Sequence, residues 1–110
     1  MDKKAERMIQ AFIQKRIWNH SKWMIRSFVI IWNNQTPLER KVGESKGRNG
    51  VGFDAIDDRV LSEIAFSYLK SGMLTRDQKS EIRKRIVKYW RQLWRISDQN
   101  KLVGQVLGEN

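Results

Sequence analysis

The segment from Thr75 to Ser97 constrains the fold most, because it carries the periodicity of one long amphipathic helix. Thr75 followed by Gln78 predicts a capping box, in which the hydroxyl and the amide satisfy backbone N–H groups at the helix start. At about 100° per residue, one narrow face collects five apolar residues: Ile82, Ile86, Tyr89, Leu93 and Ile96. We expect this face to dock on the rest of the chain.

The opposite face of this helix carries a row of cations, named here the C-terminal stripe: Lys84, Lys88, Arg91 and Arg95. A row of cations at this spacing could contact successive phosphates of a nucleic acid, since arginine binds phosphate bidentately and lysine as a point charge. A solvated face that keeps the protein soluble is the alternative. We predict that the stripe is offered, unpaired, to a polyanion, with Arg83 beside it.

Tryptophans border the stripe and have two interpretations. Trp90 and Trp94 could stack on unpaired bases, as aromatic side chains do in single-strand binders. They could instead widen the apolar face, and this is favoured because tryptophan buries a large area. The other three tryptophans are expected in the core: Trp18, Trp23 and Trp32.

Charge and length bound the class of protein. The 110 residues suffice for one domain with one modest core, residues 1–110, with a tail, 99–110, that docks weakly or frays. The net charge of +10 attracts polyanions, nucleic acid first and anionic membranes second. The chain has no cysteine and one histidine, which excludes disulfides and thiolate or all-histidine metal sites. We predict no cofactor, no small-molecule substrate and a cytoplasmic location, since signal-like and membrane-length apolar runs are missing.

The N-terminal third predicts two helices. Asp2 to about Trp18 has an apolar side, with Arg7 and Lys15 lying away from its centre. A break follows at Asn19, and Ser21 is the predicted cap of the next element. Residues 22–33 are apolar around most of the circumference; their β-branched content also suits a strand, but their length favours a helix.

The central third predicts a short helical turn, a loop and a further helix. Thr36 and Pro37 begin a turn that ends at Gly43, and a helix starts after Asp54 or Asp57 and ends at Gly72. The fold predicted from these elements is all-α, a compact bundle of three to four main helices with one Gly-rich loop.

The Gly-rich loop, residues 43–53, carries Lys46 and Arg48 among four glycines. Its backbone N–H groups could cradle a phosphate, but the Gly-Lys-Ser/Thr ending of a P-loop is missing. A structural turn is the favoured interpretation, with mobile basic contacts as the alternative.

An acidic run begins the third predicted helix at Asp54, Asp57 and Asp58. Carboxylates could bind a divalent cation or act in acid–base catalysis, but helix capping explains them with fewer assumptions. Because this acidic end would repel phosphate, we expect the binding face to lie elsewhere. His20 has no spaced partner and Ser21 no catalytic triad around it, so we predict no enzyme.

Between Gln35 and Ile96, a scattered pattern resembles a group of small, mostly uncharacterised proteins carried by phages, plasmids and other mobile elements. A similar block sits beside Swi/Snf-type helicase domains in some larger proteins. The resemblance implies a bacterial host and a role near DNA or RNA; it transfers no catalytic residue. The chain departs from the pattern at Asp54, where Asn is typical, and at Trp90 and Arg91, where small residues are. The matching residues are Gln35-Thr36, Glu39, Asn49-Gly50-Val51-Gly52-Phe53, Asp57, Leu74-Thr75, Gln78, Lys88-Tyr89 and Gln92-Leu93.

Three functions follow in order of preference. The first is non-enzymatic nucleic-acid binding through phosphates, with nine candidate residues: Lys84, Lys88, Arg91, Arg95, Arg83, Lys46, Arg48, Trp90 and Trp94. The second is a protein-interaction module whose basic face docks on an acidic surface, for example of a helicase or a defence protein. The third is membrane-surface association through the cationic, tryptophan-bordered segment 84–96. That third function is disfavoured because the core needs the same apolar face.

Overall fold

The structure, a computed structural model, describes residues 2–34 and 53–109. The predicted turn at 36–43 and the Gly-rich loop up to Gly52, with Lys46 and Arg48, lie outside these residues. All regular elements of the described part are helical, which confirms the all-α prediction there. They are α1 (Lys3–Asn19), α2 (Ser21–Asn33), α3 (Ala55–Ser71), α4 (Arg76–Ile86), a 3₁₀ turn (Val87–Tyr89), α5 (Trp90–Ile96) and α6 (Gln99–Glu109).

Helices α1 and α2 meet at a sharp corner. Asp2 caps α1, its side chain accepting the Ala5 N–H at 2.7 Å, and His20 ends the helix in extended geometry. His20 is also the N-cap of α2 and makes no side-chain capping bond, so the predicted Ser21 cap is wrong. The two helices bury one apolar face each: Ile9, Phe12, Ile13 and Ile17 from α1, and Met24, Phe28, Ile31 and Trp32 from α2.

Helix α3 begins and ends as its sequence predicts. The Asp54 carboxylate accepts the Asp57 N–H at 2.9 Å, which satisfies a backbone donor of the first turn. Gly72 ends the helix with φ of +72°, a left-handed conformation that glycine adopts without steric cost. Leu61, Ile64 and Ala65 face the core.

The prediction of one uninterrupted helix from Thr75 to Ser97 is wrong. The capping box of Thr75 and Gln78 is present, but the α-helix gives way to a 3₁₀ turn at Val87–Tyr89. Two side-chain contacts accompany the interruption. Gln14 Nε2 donates to the Val87 carbonyl at 2.9 Å, and the Tyr89 hydroxyl reaches Asp57 on α3. Side-chain insertion of this kind is a known cause of a helix break.

The apolar face of α4 and α5 and two residues of α6 complete the core. Four of the five predicted residues are buried, while Ile96 is 48% exposed. The segment from residue 99 onward is a helix that packs against α1, with Leu102 and Val106 buried, so the tail docks and does not fray. The buried apolar residues of α4, the 3₁₀ turn and α5 are Ile82, Ile86, Tyr89, Trp90 and Leu93.

Candidate functional site

The C-terminal stripe is engaged with carboxylates. Lys88 Nζ lies 2.6 Å from Asp57 Oδ2 and 3.4 Å from Asp54 Oδ2. Arg91 pairs with Glu6 of α1, and Lys84 Nζ lies 4.0 Å from Glu81. The prediction that these cations are offered unpaired is therefore wrong for Lys84, Lys88 and Arg91. Arg95 lies exposed in the last turn of α5.

Asp57 is the centre of this pairing, in a group named here the Asp57 network. Its buried carboxylate receives Arg85 Nη1 at 2.9 Å, Lys88 Nζ at 2.6 Å and the Tyr89 hydroxyl at 2.6 Å. The Tyr89 oxygen in turn accepts the Asp54 backbone N–H at 2.9 Å. The network thus ties the start of α3 to α4 and to the 3₁₀ turn, and Arg85 in it was not singled out from the sequence.

These contacts shift the pKa values of four groups in and beside the network. The hydrogen bond to Asp57 raises the pKa of both Arg85 and Lys88 above their ordinary values. Burial raises the pKa of the Tyr89 phenol, and its bond to Asp57 adds to this. Burial acts to raise the pKa of Asp54, but the Asp57 N–H and Lys88 outweigh it, so that pKa is lowered.

The acidic start of α3 therefore holds helices together. Asp54 caps the helix and Asp57 anchors the network, in agreement with the capping interpretation for the first and with a wider structural role for the second. Within the described ranges no three histidine or carboxylate residues lie close enough to hold a metal ion. The acidic end also faces the C-terminal stripe itself, so Lys88 is neutralised where a phosphate would need it.

Four of the five tryptophans lie in the core or pack against it, as the favoured interpretations predict, and Trp18 is the exception. Trp90 is buried, with the Arg91 guanidinium 4.7 Å from its ring centroid, which agrees with the favoured interpretation that it widens the apolar face and leaves little of the ring for a base to stack on. Trp94 is half-buried against the core. Trp18, expected in the core, is 48% exposed at the end of α1. Arg83, also a predicted contact, is half-buried and donates from Nη2 to Ser21 Oγ at 3.3 Å.

A second cationic row, which the sequence did not single out as a site, lies on the outer face of α1. It is named here the α1 stripe and consists of Lys4, Arg7, Lys15 and Trp18, all exposed. At about 100° per residue the four side chains fall within roughly 80° of the helix circumference. No described carboxylate lies within ion-pair distance of its three cations. The signal that could have found it is the i, i+3, i+4 spacing of these residues around Ala11.

The acids of α1 do not neutralise this stripe because they have other partners. Asp2 caps the helix, and Glu6 pairs with Arg91 of α5. Helix α1 therefore contributes one carboxylate, that of Glu6, to the C-terminal stripe, while its own cations stay exposed. Of the two cationic faces, the α1 stripe is the one whose cations have no carboxylate partner among residues 2–34 and 53–109.

Comparisons with protein-family models, with curated proteins and with solved structures gave no match for this chain. The helices of the described segments are all too short or too polar to cross a bilayer. The apolar side of segment 84–96 is packed in the core at Ile86, Tyr89 and Leu93, which removes most of the surface that an interfacial helix would insert.

Proposed function

We propose that this protein is a small, non-enzymatic nucleic-acid-binding protein that contacts phosphates through the α1 stripe. The observation that carries the proposal is an exposed row of Lys4, Arg7 and Lys15 with no carboxylate partner among the described residues, on a chain of net charge +10. Free cations on one face release counterions when they meet a phosphate chain, and this supplies sequence-tolerant affinity.

The dimensions of the α1 stripe suit such a partner. Lys4 and Lys15 are 11 residues apart, which is about 17 Å along a helix. One strand of B-form DNA passes about five phosphates in that length. Trp18 adds an aromatic surface at the end of the row, where an unpaired base could stack.

The proposed phosphate contact lies on α1 and not on the C-terminal stripe. On the C-terminal stripe, a phosphate would have to displace Asp57 from Lys88 and Glu6 from Arg91. On α1, the same phosphate would displace no carboxylate of the described residues. In a phage or mobile-element setting, which the resemblance implies, such a protein would act beside replication, repair or expression machinery.

The test compares three triple variants that remove equal charge. Lys4→Gln/Arg7→Gln/Lys15→Gln changes the α1 stripe, Lys84→Gln/Arg91→Gln/Arg95→Gln the C-terminal stripe, and Lys70→Gln/Arg76→Gln/Lys79→Gln is a control on α3 and α4. Binding to a labelled oligonucleotide is measured by anisotropy over a salt series. The α1 variant should lose most affinity, and its slope of log affinity against log salt should fall by about 2 to 3.

Two results would overturn this assignment. Equal losses in all three variants would mean that net charge alone matters, and a larger loss in the C-terminal variant would restore the first prediction. Absence of oligonucleotide binding by the unmodified protein would refute nucleic-acid binding altogether. The basic face would then be assigned to an acidic protein surface, such as that of a helicase or defence protein.

A further inference from the structure

A groove of about 490 Å³ lies between α2 on one side and α5 and α6 on the other. Its deeper wall is apolar and includes the buried side chains of Ile13, Leu93 and Leu102. Its upper wall includes Ile30 and Ile96, which are exposed, so apolar surface remains in contact with water. The volume is within the range of sites that hold small organic molecules.

The rim of the groove is cationic. Lys22 and Arg26 lie one helical turn apart on α2, and Lys101 faces them from α6. All three are exposed, and none has a carboxylate partner within residues 2–34 and 53–109. The lining also holds Asp98, whose Oδ1 accepts the Lys101 backbone N–H at 3.1 Å and so caps α6. Three cations against one carboxylate leave the rim positive.

An apolar wall under a positive rim fits a flat, uncharged ring that carries an anionic group. A nucleotide has this composition, because its base is an aromatic ring and its phosphate is an anion. Trp23, which is half-buried, adds an aromatic side chain to the lining. An inorganic anion would use the rim alone and leave Ile30 and Ile96 in water.

A duplex cannot present a nucleotide in this way, since its bases are stacked and paired inside the phosphate backbone. An unpaired nucleotide presents both its base and its phosphate. Resting on the nucleic-acid binding proposed above, we propose that the groove binds one unpaired nucleotide of a single strand. The protein then prefers single-stranded or looped nucleic acid to duplex, with the α1 stripe contacting phosphates of either form.

The experiment measures anisotropy with a single strand and with a duplex of the same sequence. Arg26→Glu/Lys101→Glu changes the rim, Ile30→Ala/Ile96→Ala removes apolar wall without changing charge, and Lys70→Glu/Arg76→Glu is the matched charge control. All six positions lie on the surface of helices, so the fold is expected to be retained. Each groove variant should lose about tenfold for the single strand, the contribution of one stacked base. Duplex affinity should change no more than in the control.

The outcomes separate this inference from the proposed function. Binding that depends on α1, with equal affinity for both strand forms and no effect of Ile30→Ala/Ile96→Ala, refutes the groove and leaves nucleic-acid binding standing. No oligonucleotide binding at all refutes both. A titration with adenosine 5′-monophosphate, followed by amide chemical shifts, should move residues of α2 and α6 at the groove. Shifts there with a long-chain fatty acid but not with the nucleotide would also overturn the inference.

Discussion

Replacement of Asp57 by Asn is the sharpest test of how this fold is held together. The variant keeps the shape of the side chain and removes the charge at the centre of the Asp57 network. Asp57 is 1% exposed, and its carboxylate receives three donors, from Arg85, Lys88 and Tyr89. Asn keeps one acceptor oxygen but presents an NH₂ donor in place of the other, so the donors on that side must find partners elsewhere or remain unsatisfied.

The size of the stability loss depends on which of the three donors can find another hydrogen-bond partner. Lys88 has a side chain that is 53% exposed, and it retains Asp54; Arg85 is 27% exposed and retains Glu81 at 3.1 Å. Water can therefore replace part of the hydrogen bonding that Lys88 and Arg85 lose with Asp57. The Tyr89 hydroxyl is buried and has no such route. With a charged hydrogen bond worth ~1.5–3 kcal/mol, one full loss and two partial ones amount to about 3 kcal/mol.

The assay is thermal and urea unfolding of the two proteins followed by circular dichroism. A loss of about 3 kcal/mol lowers Tm by about 12 °C in a domain of this size. The control is Glu81→Gln, which removes the partly exposed i, i+4 pair with Arg85 and the 4.0 Å contact with Lys84, and should cost less than about 0.5 kcal/mol. Equal stability of Asp57→Asn and the unmodified protein would show that the network does not stabilise the fold.

Two further predictions follow from single contacts. Gly72→Ala should lower the free energy of unfolding by about 1 kcal/mol, as measured by urea titration. The cause is backbone strain at φ of +72°, because a Cβ added at this position would have no atom within 4 Å. An unchanged free energy of unfolding would mean that α3 ends differently. The protein should also lose stability as pH rises above about 10, since the folded state holds the protons of Tyr89 and Lys88 above their ordinary pKa values of 10.0 and 10.5. Tyr89→Phe should flatten that alkaline loss in a pH series of denaturant titrations, and an unchanged slope would count against it.

Local signals in the sequence predicted the helix boundaries well. The capping box at Thr75, the N-cap at Asp54 and the C-cap at Gly72 each depend on residues within one turn, so periodicity and capping chemistry suffice to locate them. Residues 22–33 lie in α2, so the helix that their length favoured is confirmed and the alternative strand is wrong. Such features need no knowledge of what packs against the helix.

The interruption at Val87–Tyr89 could not be predicted from the same signals. Its contacts come from Gln14, 73 residues away along the chain, and from Asp57, 32 residues away from Tyr89. The helical pattern of residues 82–93 stays regular across the break, because a 3₁₀ turn shifts the faces only slightly. Trp18 was misplaced for a similar reason: whether a tryptophan at a helix end is covered depends on the neighbouring element.

Charge pairing explains why the proposed contact differs from the one predicted from the sequence. A stripe of cations on one helix was interpreted by itself, but an exposed lysine is free only if no acid from another helix reaches it. The fold brings Asp54 and Asp57 to Lys88, and Glu6 to Arg91, because α3 packs against α4 and α1 packs against α5. Those acids are then unavailable to α1. Of the two stripes, the α1 stripe is therefore the one whose cations have no carboxylate partner among the described residues, and we expect phosphate to bind there.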